Sequence, residues 1–533
     1  MGEDLYELPQ GWVWVNFSTV INKVKRGPSL KCNQEGLGIR YITSGNLANG
    51  QLNLNLDQKY LQGFDQIEKC KLKPGDLILN CVNSIEQIGK SAVFKTCHGE
   101  AIVGFNNYAL ELKNEAILSE FANYFCQTII AKKQIYFLIK RAVNQVSFAT
   151  RELDFISIPI PPIAEQNRIV SKIEELFTQL DAGVELLKKV KAKLKRYRQA
   201  VLKAAVEGNL TKEWREANQG ELEPASVLLE RILKQRREKW EAEQLAKMKA
   251  QGKTPKDDSW KLKYKEPVRP DISDLPELPD GWCWGTFDQV CERVTVGHVG
   301  SMKDEYIENG IPFLRSQNVR ENRYNSEGIK FISPNFHTQL RKSSLEPGDL
   351  VVVRSGSVGV SCVIPETLKE ANCSDLVIVK QPKAINPYFA AFYMNSVARS
   401  RVNAQQVGVA LIHFNTQSMA AMPVPIPPII EQLKIVEAVE LLLSVIDQLE
   451  KTIDVNLKRA ERLRQTILKQ AFEGKLVPQD PNDEPAEKLL ERIKAEKANR
   501  EADKKPKRQS TIKSKQPRKS KTTATQLELK LDD

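Results

Sequence analysis

The chain holds nine cysteines with no Cys-x-x-Cys pair, and four histidines, none at ligand spacing from a cysteine apart from the adjacent Cys97 and His98. Adjacent side chains diverge, so they are not expected to share a metal, and no structural zinc site is expected. Scattered thiols without a pairing pattern suit a reducing compartment, where they act as small core residues. No apolar run approaches the ~18 residues needed to span a bilayer, and the start Met1-Gly2-Glu3-Asp4 lacks the basic region of a signal peptide. A soluble, cytoplasmic protein without a membrane partner is therefore expected. Catalytic signatures are missing too. The Pro-Pro pairs at 161–162 and 427–428 follow apolar residues and precede Ile163 and Ile429. Neither makes the Asn/Asp-Pro-Pro-aromatic loop with which an adenine methyltransferase holds a flipped base. There is no glycine fingerprint for a nucleoside cofactor. The stretch Ser84-Ile85-Glu86-Gln87-Ile88-Gly89-Lys90-Ser91 approaches a phosphate-binding loop, but Ser84 stands where a first glycine must turn the amides toward phosphate. A structural turn is the simpler expectation.

What the sequence does contain is one unit written twice. Leu8-Pro9-Gln10-Gly11-Trp12-Val13-Trp14 returns as Leu278-Pro279-Asp280-Gly281-Trp282-Cys283-Trp284. Lys73-Pro74-Gly75-Asp76 returns as Glu346-Pro347-Gly348-Asp349, and Ile158–Gln166 returns as Val424–Gln432. The offset is too large for a solenoid, whose repeats run roughly 20–50 residues. It marks a duplicated module, and two similar modules suit two similar tasks at two places on one target.

Each copy opens with about 150 residues of α+β character. Strand-like runs such as Asp76–Leu79, Asp349–Val353 and Leu376–Val379 sit between Gly, Asn and Ser clusters, with helix-like pieces at Ile117–Ile130 and Pro387–Ala398. The Pro-Pro segment then ends the strand pattern. From Ala164 to about Glu207, and again in the second copy, apolar residues recur at steps of three and four, which predicts a long helix with a coiled-coil-type seam. Gly208 and Gly474 stand at the expected stops. About 44 residues make a rod roughly 65 Å long, and the two matching seams predict an antiparallel pair with a globular domain at each end. A charged, shorter helix follows each rod helix, and Gly252–Pro279 is expected to be extended. The expected divisions are 1–157, a first globular domain; 158–212, hinge and long helix; 213–278, charged helix and linker; 279–423, the second globular domain; 424–478, its hinge and helix; 479–500, a second charged helix; and 501–533, a disordered basic tail.

The paired Gly-Trp-x-Trp starts, the repeated Pro-Pro-x-x-Glu-Gln boundary and the Gly-terminated helix together resemble the specificity subunit of type I restriction–modification systems, from Leu8 to about Ala502. The resemblance implies two target-recognition domains, each reading one half of a split, asymmetric sequence in double-stranded DNA. It implies that the helices are a spacer and the docking surface for two modification subunits, which bind S-adenosylmethionine and methylate adenine, and that restriction subunits using ATP and magnesium join them. The chain itself would hold no cofactor, no metal and no catalytic residue. Glu165, Gln166, Glu431 and Gln432, in the repeated boundary, become the candidates for partner contact. A coiled-coil adaptor that reads no DNA, and a self-contained methyltransferase or nuclease, remain the alternatives.

A formal charge of +12, from 79 Lys and Arg against 67 Asp and Glu, suits a polyanionic partner. Residues that read bases must be polar and carried on loops, with Arg suited to guanine and Asn or Gln to adenine. In the first copy these are Arg40, Thr43, Ser44 and Asn46; Asn83, Ser84 and Lys90; and Arg141, Asn144, Gln145 and Ser147. The second copy offers Arg315, Ser316, Gln317 and Asn318; Arg354, Ser355 and Ser357; and Gln405, Gln406, His413 and Asn415. The four tryptophans of the paired starts are expected in the core, not as base-stacking platforms. In the tail, Gln526-Leu527-Glu528-Leu529-Lys530-Leu531 resembles the short peptides by which bacterial proteins bind the replication sliding clamp.

Overall fold

The computed structural model describes residues 6–143, 145–255, 257–398 and 414–503. Six helices matter to the argument: α1 (Ser119–Cys126), α2 (Ile129–Leu138), α3 (Ile163–Val206), α4 (Ala225–Ala250), α5 (Ile429–Phe472) and α6 (Ala486–Asp503). The two long helices, α3 and α5, have 44 residues each. They stop at Gly208 and Gly474, whose φ values of +74° and +69° lie in the left-handed region. The amides of Asn209 and Lys475 reach back to the carbonyls of Ala204 and Gln470, closing the Schellman pattern that glycine at this position permits.

The helix expected over Ile117–Ile130 is instead two. Thr128 donates its hydroxyl to the Phe125 carbonyl and accepts from the Ala131 amide, so it ends α1 and caps α2. The segment after α4 is not simply extended either. A 3-10 turn at Asp258–Lys263 buries Trp260 against Trp240 of α4, ring centroids 6.1 Å apart, with Tyr264 packed on the same Trp240. Gln526–Leu531 lies outside the described residues. Among the described residues, no helix is long and apolar enough to cross a membrane.

Contacts divide the chain into two units. One is continuous, 184–458; the other joins 1–183 to 459–533. Each long helix begins in one unit and ends in the other.

In the discontinuous unit, the strands used below, in chain order and apart from the short pair Leu47–Ala48 with Gln51–Leu52, are β1 (Val13–Asn16), β2 (Ile21–Arg26), β3 (Ile39–Ile42), β4 (Tyr60–Leu61), β5 (Leu77–Asn80), β6 (Val82–Asn83), β7 (Ser91–Val93), β8 (Ala101–Val103), β9 (Asn107–Leu112), β10 (Lys140–Arg141), β11 (Val146–Ser147) and β12 (Ser157–Ile160). They form a four-stranded sheet β2-β9-β5-β7, a three-stranded sheet β8-β3-β4 whose first pair is parallel, the small sheet β10-β11-β6, and the pair β1-β12. The Ser84–Ser91 stretch is the turn between β6 and β7, with Gly89 at φ +80°. One core joins Trp12, Phe121 and Phe125 to Ile169 and Ile173 of α3, Leu468 and Phe472 of α5, and Ala486 and Leu490 of α6. Here Asp181 of α3 pairs with Arg464 of α5, and Arg168 of α3 with Asp483 in the segment between α5 and α6.

The continuous unit repeats this plan. Its four-stranded sheet contains Arg293–Val296, Leu376–Lys380, Leu350–Val353 and Ser361–Val363 in that order, and Ile311–Leu314 runs parallel to Ala371–Cys373. Its core joins Leu202 and Ala205 of α3, Ala225 and Leu229 of α4, Trp282, Phe389, and Ile435 and Val439 of α5. The helices are antiparallel here, with Lys191 paired to Asp454 and Arg198 to Asp447 and Glu450. Asp447 and Arg198 occupy the repeat positions of Asp181 and Arg464. Each ion pair thus takes its acid from one copy and its arginine from the other.

The charged helix after each rod docks in the same way. Gly11 and Gly281, at φ +82° and +83°, turn the chain into Trp12 and Trp282. The Gly11 carbonyl accepts from Ala486 at the start of α6, and that of Gly281 from Ala225 at the start of α4. The segment that follows one copy's long helix therefore packs on the head of the other copy.

Candidate nucleic-acid interface

Each globular domain is held to its long helix by a joint made from the repeated landmarks. Strand β1 pairs antiparallel with β12, placing Val13 opposite Ile160; Cys283 stands opposite Ile426 in the second copy. Trp12 Nε1 donates to Glu165 Oε2 at 3.0 Å, and Trp282 Nε1 to Glu431 Oε2 at 2.8 Å. Gln166 gives its amide to the Ala116 and Pro161 carbonyls while its oxygen accepts from Leu118. Gln432 repeats this with Ala384, Pro427 and Asn386.

All four Glu and Gln side chains are at most 1 % exposed. This corrects the expectation that Glu165, Gln166, Glu431 and Gln432 meet a partner: a side chain with no surface cannot dock one. They fasten each globular domain to the root of its helix. Trp12 and Trp282 are buried with them, while Trp14 and Trp284 donate to the Tyr6 and Pro276 carbonyls.

The two joints differ in charge compensation. Glu431 Oε1 also accepts from Arg215 at 2.6 Å and Thr211 at 2.7 Å. Glu165 Oε1 is buried without a hydrogen-bond partner, and burial pushes this carboxyl above the usual range, against the Trp12 bond and Arg168. An acid whose folded pKa is raised contributes stability below its unfolded pKa, and that contribution is lost as pH rises through the folded value. Glu165→Gln should therefore leave its unit within about 1 kcal/mol of the parent at neutral pH and flatten this pH dependence. Glu431→Gln should cost the other unit roughly 2–4 kcal/mol, since Arg215 loses its anion. Calorimetric unfolding of both variants checks this; equal losses would contradict it.

The loops converge because parallel strands end side by side. In the first domain β3 and β8 deliver 43–46 and 104–107 to one edge, where Asn107 Nδ2 donates to the Ile42 carbonyl at 3.1 Å. Asn80 donates to Asn107 at 3.0 Å, and Asn83 to Asn80 at 3.1 Å, so an asparagine chain ties in the second loop. The hairpin β10-β11 pairs with β6 through Val146 and Asn83, which adds the third. Thr43, Ser44, Asn83, Ser84, Arg141, Gln145 and Ser147 thus gather on one side, half-buried or exposed. Lys90 is half-buried at the far end of the turn before β7. Arg40 is partly committed, giving Nη1 to the Leu54 carbonyl and stacking over Tyr60.

The second domain uses the same construction. The Ser374 amide donates to the Leu314 carbonyl at 2.9 Å, and Arg354 pairs with Asp375 at 3.2 Å, joining the loops at 315–318, 354–357 and 374–375. Ser316, Gln317 and Ser357 are exposed and Ser355 half-buried. Arg315 and Gln317 both reach the Gly328 carbonyl. Asn415 is exposed and caps the short helix Thr416–Ala420. Asn144, Gln405, Gln406 and His413 lie outside the described residues.

Asn46 and Asn318 do not meet the exposure that base reading requires. They are 2 % and 0 % exposed. Each amide donates to loop carbonyls, Asn53 and Leu56 in one copy and Asn325 and Glu327 in the other, while its oxygen accepts from the amide three residues back. They shape the loops that carry their neighbours.

Sequence reasoning missed the loops beginning at Gly27 and Gly297. A Cβ at either would lie 1.8 Å from a backbone oxygen, that of Val103 or Ser374, so only glycine lets the chain pass. Their recurrence at matching strand ends was a usable signal. Phe105, beneath the Arg26 guanidinium at 4.1 Å, lies on the same edge of the first domain.

Two loop-bearing α+β heads, each fastened to a long helix by one buried joint, define a duplicated recognition scaffold. Residues 9–196 and 279–459 match the family described as type I restriction modification DNA specificity domain, and the chain belongs to that family. It is 28 % identical over 521 residues to the type I restriction enzyme EcoKI specificity subunit of Escherichia coli, covering 92 % of this chain and 97 % of that one. It is 26 % identical over 443 residues to the EcoDI specificity subunit of the same species, covering 78 % and 88 %. A solved chain from work on complex assembly and conformational transition of the type I R-M system superposes with a TM-score of 0.61 at 16 % identity, over 89 % of this chain and all of that one. That likeness concerns the fold.

Proposed function

We propose that this chain reads a bipartite, asymmetric sequence in double-stranded DNA and positions modification and restriction subunits on it. Residues 1–157 and 279–423 are the two readers, and the helices within 158–212 and 424–478 are the antiparallel spacer between half-sites. The observation that carries this reading is the contrast between frame and face. Trp, Glu, Gln and Gly at the joints recur, while the gathered loop residues differ: Thr43 and Gly45 against Arg315 and Gln317, and Asn83 against Arg354. Similar frames with unlike faces suit two different half-sites. The crossed pairs Asp181–Arg464 and Asp447–Arg198 support a spacer in which both helices contribute equally.

In this reading the chemistry belongs to the partners: adenine methylation from S-adenosylmethionine in two modification subunits, and ATP- and magnesium-dependent cleavage in restriction subunits, all in the cytoplasm. This chain supplies register. Mapping N6-methyladenine across a genome in a host that carries the chain and its modification partners tests it. The expected result is one motif of two unlike half-sequences at fixed spacing. A single continuous motif, or methyl transfer by the purified chain alone, would overturn the reading.

A further inference from the structure

Two of the most exposed apolar side chains lie next to the gathered loops of the first domain, and folding does not explain them. Phe137, near the end of α2, is 85 % exposed, and Val143, at the tip of the β10-β11 hairpin, is 98 % exposed. Helix α2 buries Ala131 and Ile135 in the core, while Ile129, Lys133 and Phe137, spaced by four, share the opposite stripe. The hairpin closes where the Ala142 amide donates to the Gln145 carbonyl at 2.8 Å. Such a tip favours Gly, Asn or Asp, and a solvated valine there gains nothing for the fold.

The surroundings are cationic. Lys132, Lys133, Lys140 and Arg141 are exposed, and among the described residues none has an ion-pair partner. Glu86, in the loop that Tyr136 holds through the Ile85 carbonyl, is an exposed carboxylate in the same area. The edge of the small sheet β10-β11-β6, with an apolar residue at its turn and cations on its shoulders, complements a duplex groove, with apolar base edges at its floor and phosphates on its walls. The major groove, about 12 Å wide, admits a β-ribbon, and thymine methyls on its floor offer apolar contact.

We propose that strand β10 and the turn residue Val143 enter the major groove of the first half-site, with Val143 and Phe137 against base edges and Lys132, Lys133, Lys140 and Arg141 on phosphate. The proposal rests on the reading above, that the first domain recognises duplex DNA. Phosphate contact fixes register and apolar contact discriminates among bases, so the two sets of residues should separate on substitution.

The test uses the full chain co-expressed with its modification partners in a host lacking the system. Methylated adenines are mapped in vivo, and the purified complex is titrated with genomic DNA fragments at several salt concentrations. The double variant Val143→Ser/Phe137→Ser should lower methylation of the parent motif tenfold or more, or loosen it in one half only, while its affinity for bulk fragments changes less than twofold. Lys140→Gln/Arg141→Gln should weaken bulk binding and reduce the slope of log affinity against log salt by about two. Light scattering should find the complex intact in both. Parent-like methylation by Val143→Ser/Phe137→Ser would overturn the proposal, as would loss of assembly, which would make the patch a protein-docking surface. Absence of methylation by the unaltered complex would instead remove the recognition reading itself.

Discussion

Replacing Lys380 by methionine is expected to destabilise the continuous unit by about 3–5 kcal/mol, the usual cost of leaving one member of a buried ion pair alone. For a unit of this size that is a fall in melting temperature on the order of 10 °C. Asp349, at the Pro-Gly-Asp turn, is 0 % exposed, and Lys380 Nζ stands 2.6 Å from its Oδ2. The Glu346 and Gln381 amides also donate to this carboxylate. Burial nonetheless pushes the Asp349 carboxyl above its ordinary value, against the pull of Lys380. With the lysine gone that shift should grow. The folded state then binds more protons than the unfolded one, so the deficit should shrink as pH is lowered toward the unfolded pKa and deepen as pH rises through the folded one. Asp349→Asn added to Lys380→Met removes the stranded charge but keeps an oxygen for only one of the two amides, since Glu346 donates to Oδ2 and Gln381 to Oδ1, so part of the loss should return. Calorimetry across pH 5 to 8 reads both effects. A pH-independent deficit that Asp349→Asn fails to relieve would show that Lys380 acts through packing of its stem.

The first copy arrives at the same pair by another route. Asp76 is equally buried, but its lysine is Lys25 on β2, 2.7 Å away, whereas Lys380 lies on the strand equivalent to β9. The aspartate recurs in the sequence because the turn needs it: Lys73 and Glu346 donate their amides to Asp76 and Asp349 in the same way. The lysine need only come from some neighbouring strand, so no repeat in the sequence points to it. The domain joint escaped for a similar reason. A Glu-Gln at the first turn of a helix reads as a solvated terminus, and nothing local says that Trp12 will arrive from 153 residues away. Local signals, by contrast, were legible. Helix α3 starts and ends one residue from where its periodicity and Gly208 place it. Strand Leu350–Val353 follows its Pro-Gly-Asp turn as expected. The single helix expected over 117–130 failed because Thr128 competes for backbone groups that apolar periodicity does not count. In the gathered loops, polar side chains were legible in the sequence, but not that Ser44 stays half-buried while Asn46 folds inward to hold the loop.

A matched deletion of Leu186–Lys189 from α3 and Asn456–Arg459 from α5 is expected to bring the two half-sites about two base pairs closer while leaving both half-sequences unchanged. Four residues of helix span about 6 Å, and base pairs rise about 3.4 Å along the duplex. The matching matters because the helices are antiparallel. Lys191 pairs with Asp454, and Arg198, seven residues on, pairs with Asp447, seven residues back. Cutting one helix alone would shift that register and set cation against cation, whereas cutting both keeps the ion pairs on either side of the deletion. Leu186 is 63 % exposed and Leu187 and Leu457 are half-buried, so the cut removes no fully buried side chain. Four residues exceed one turn by about 40° of rotation, well within the flexibility of duplex DNA over a spacer. Methylated-adenine mapping of host genomes carrying parent or shortened chain, each with its modification partners, reads spacing and half-sequences together. Full methylation at the parent spacing would show that something other than the helices sets the distance. Altered half-sequences would show that the helices also shape the reading faces, which the buried joints at Glu165 and Glu431 are placed to prevent.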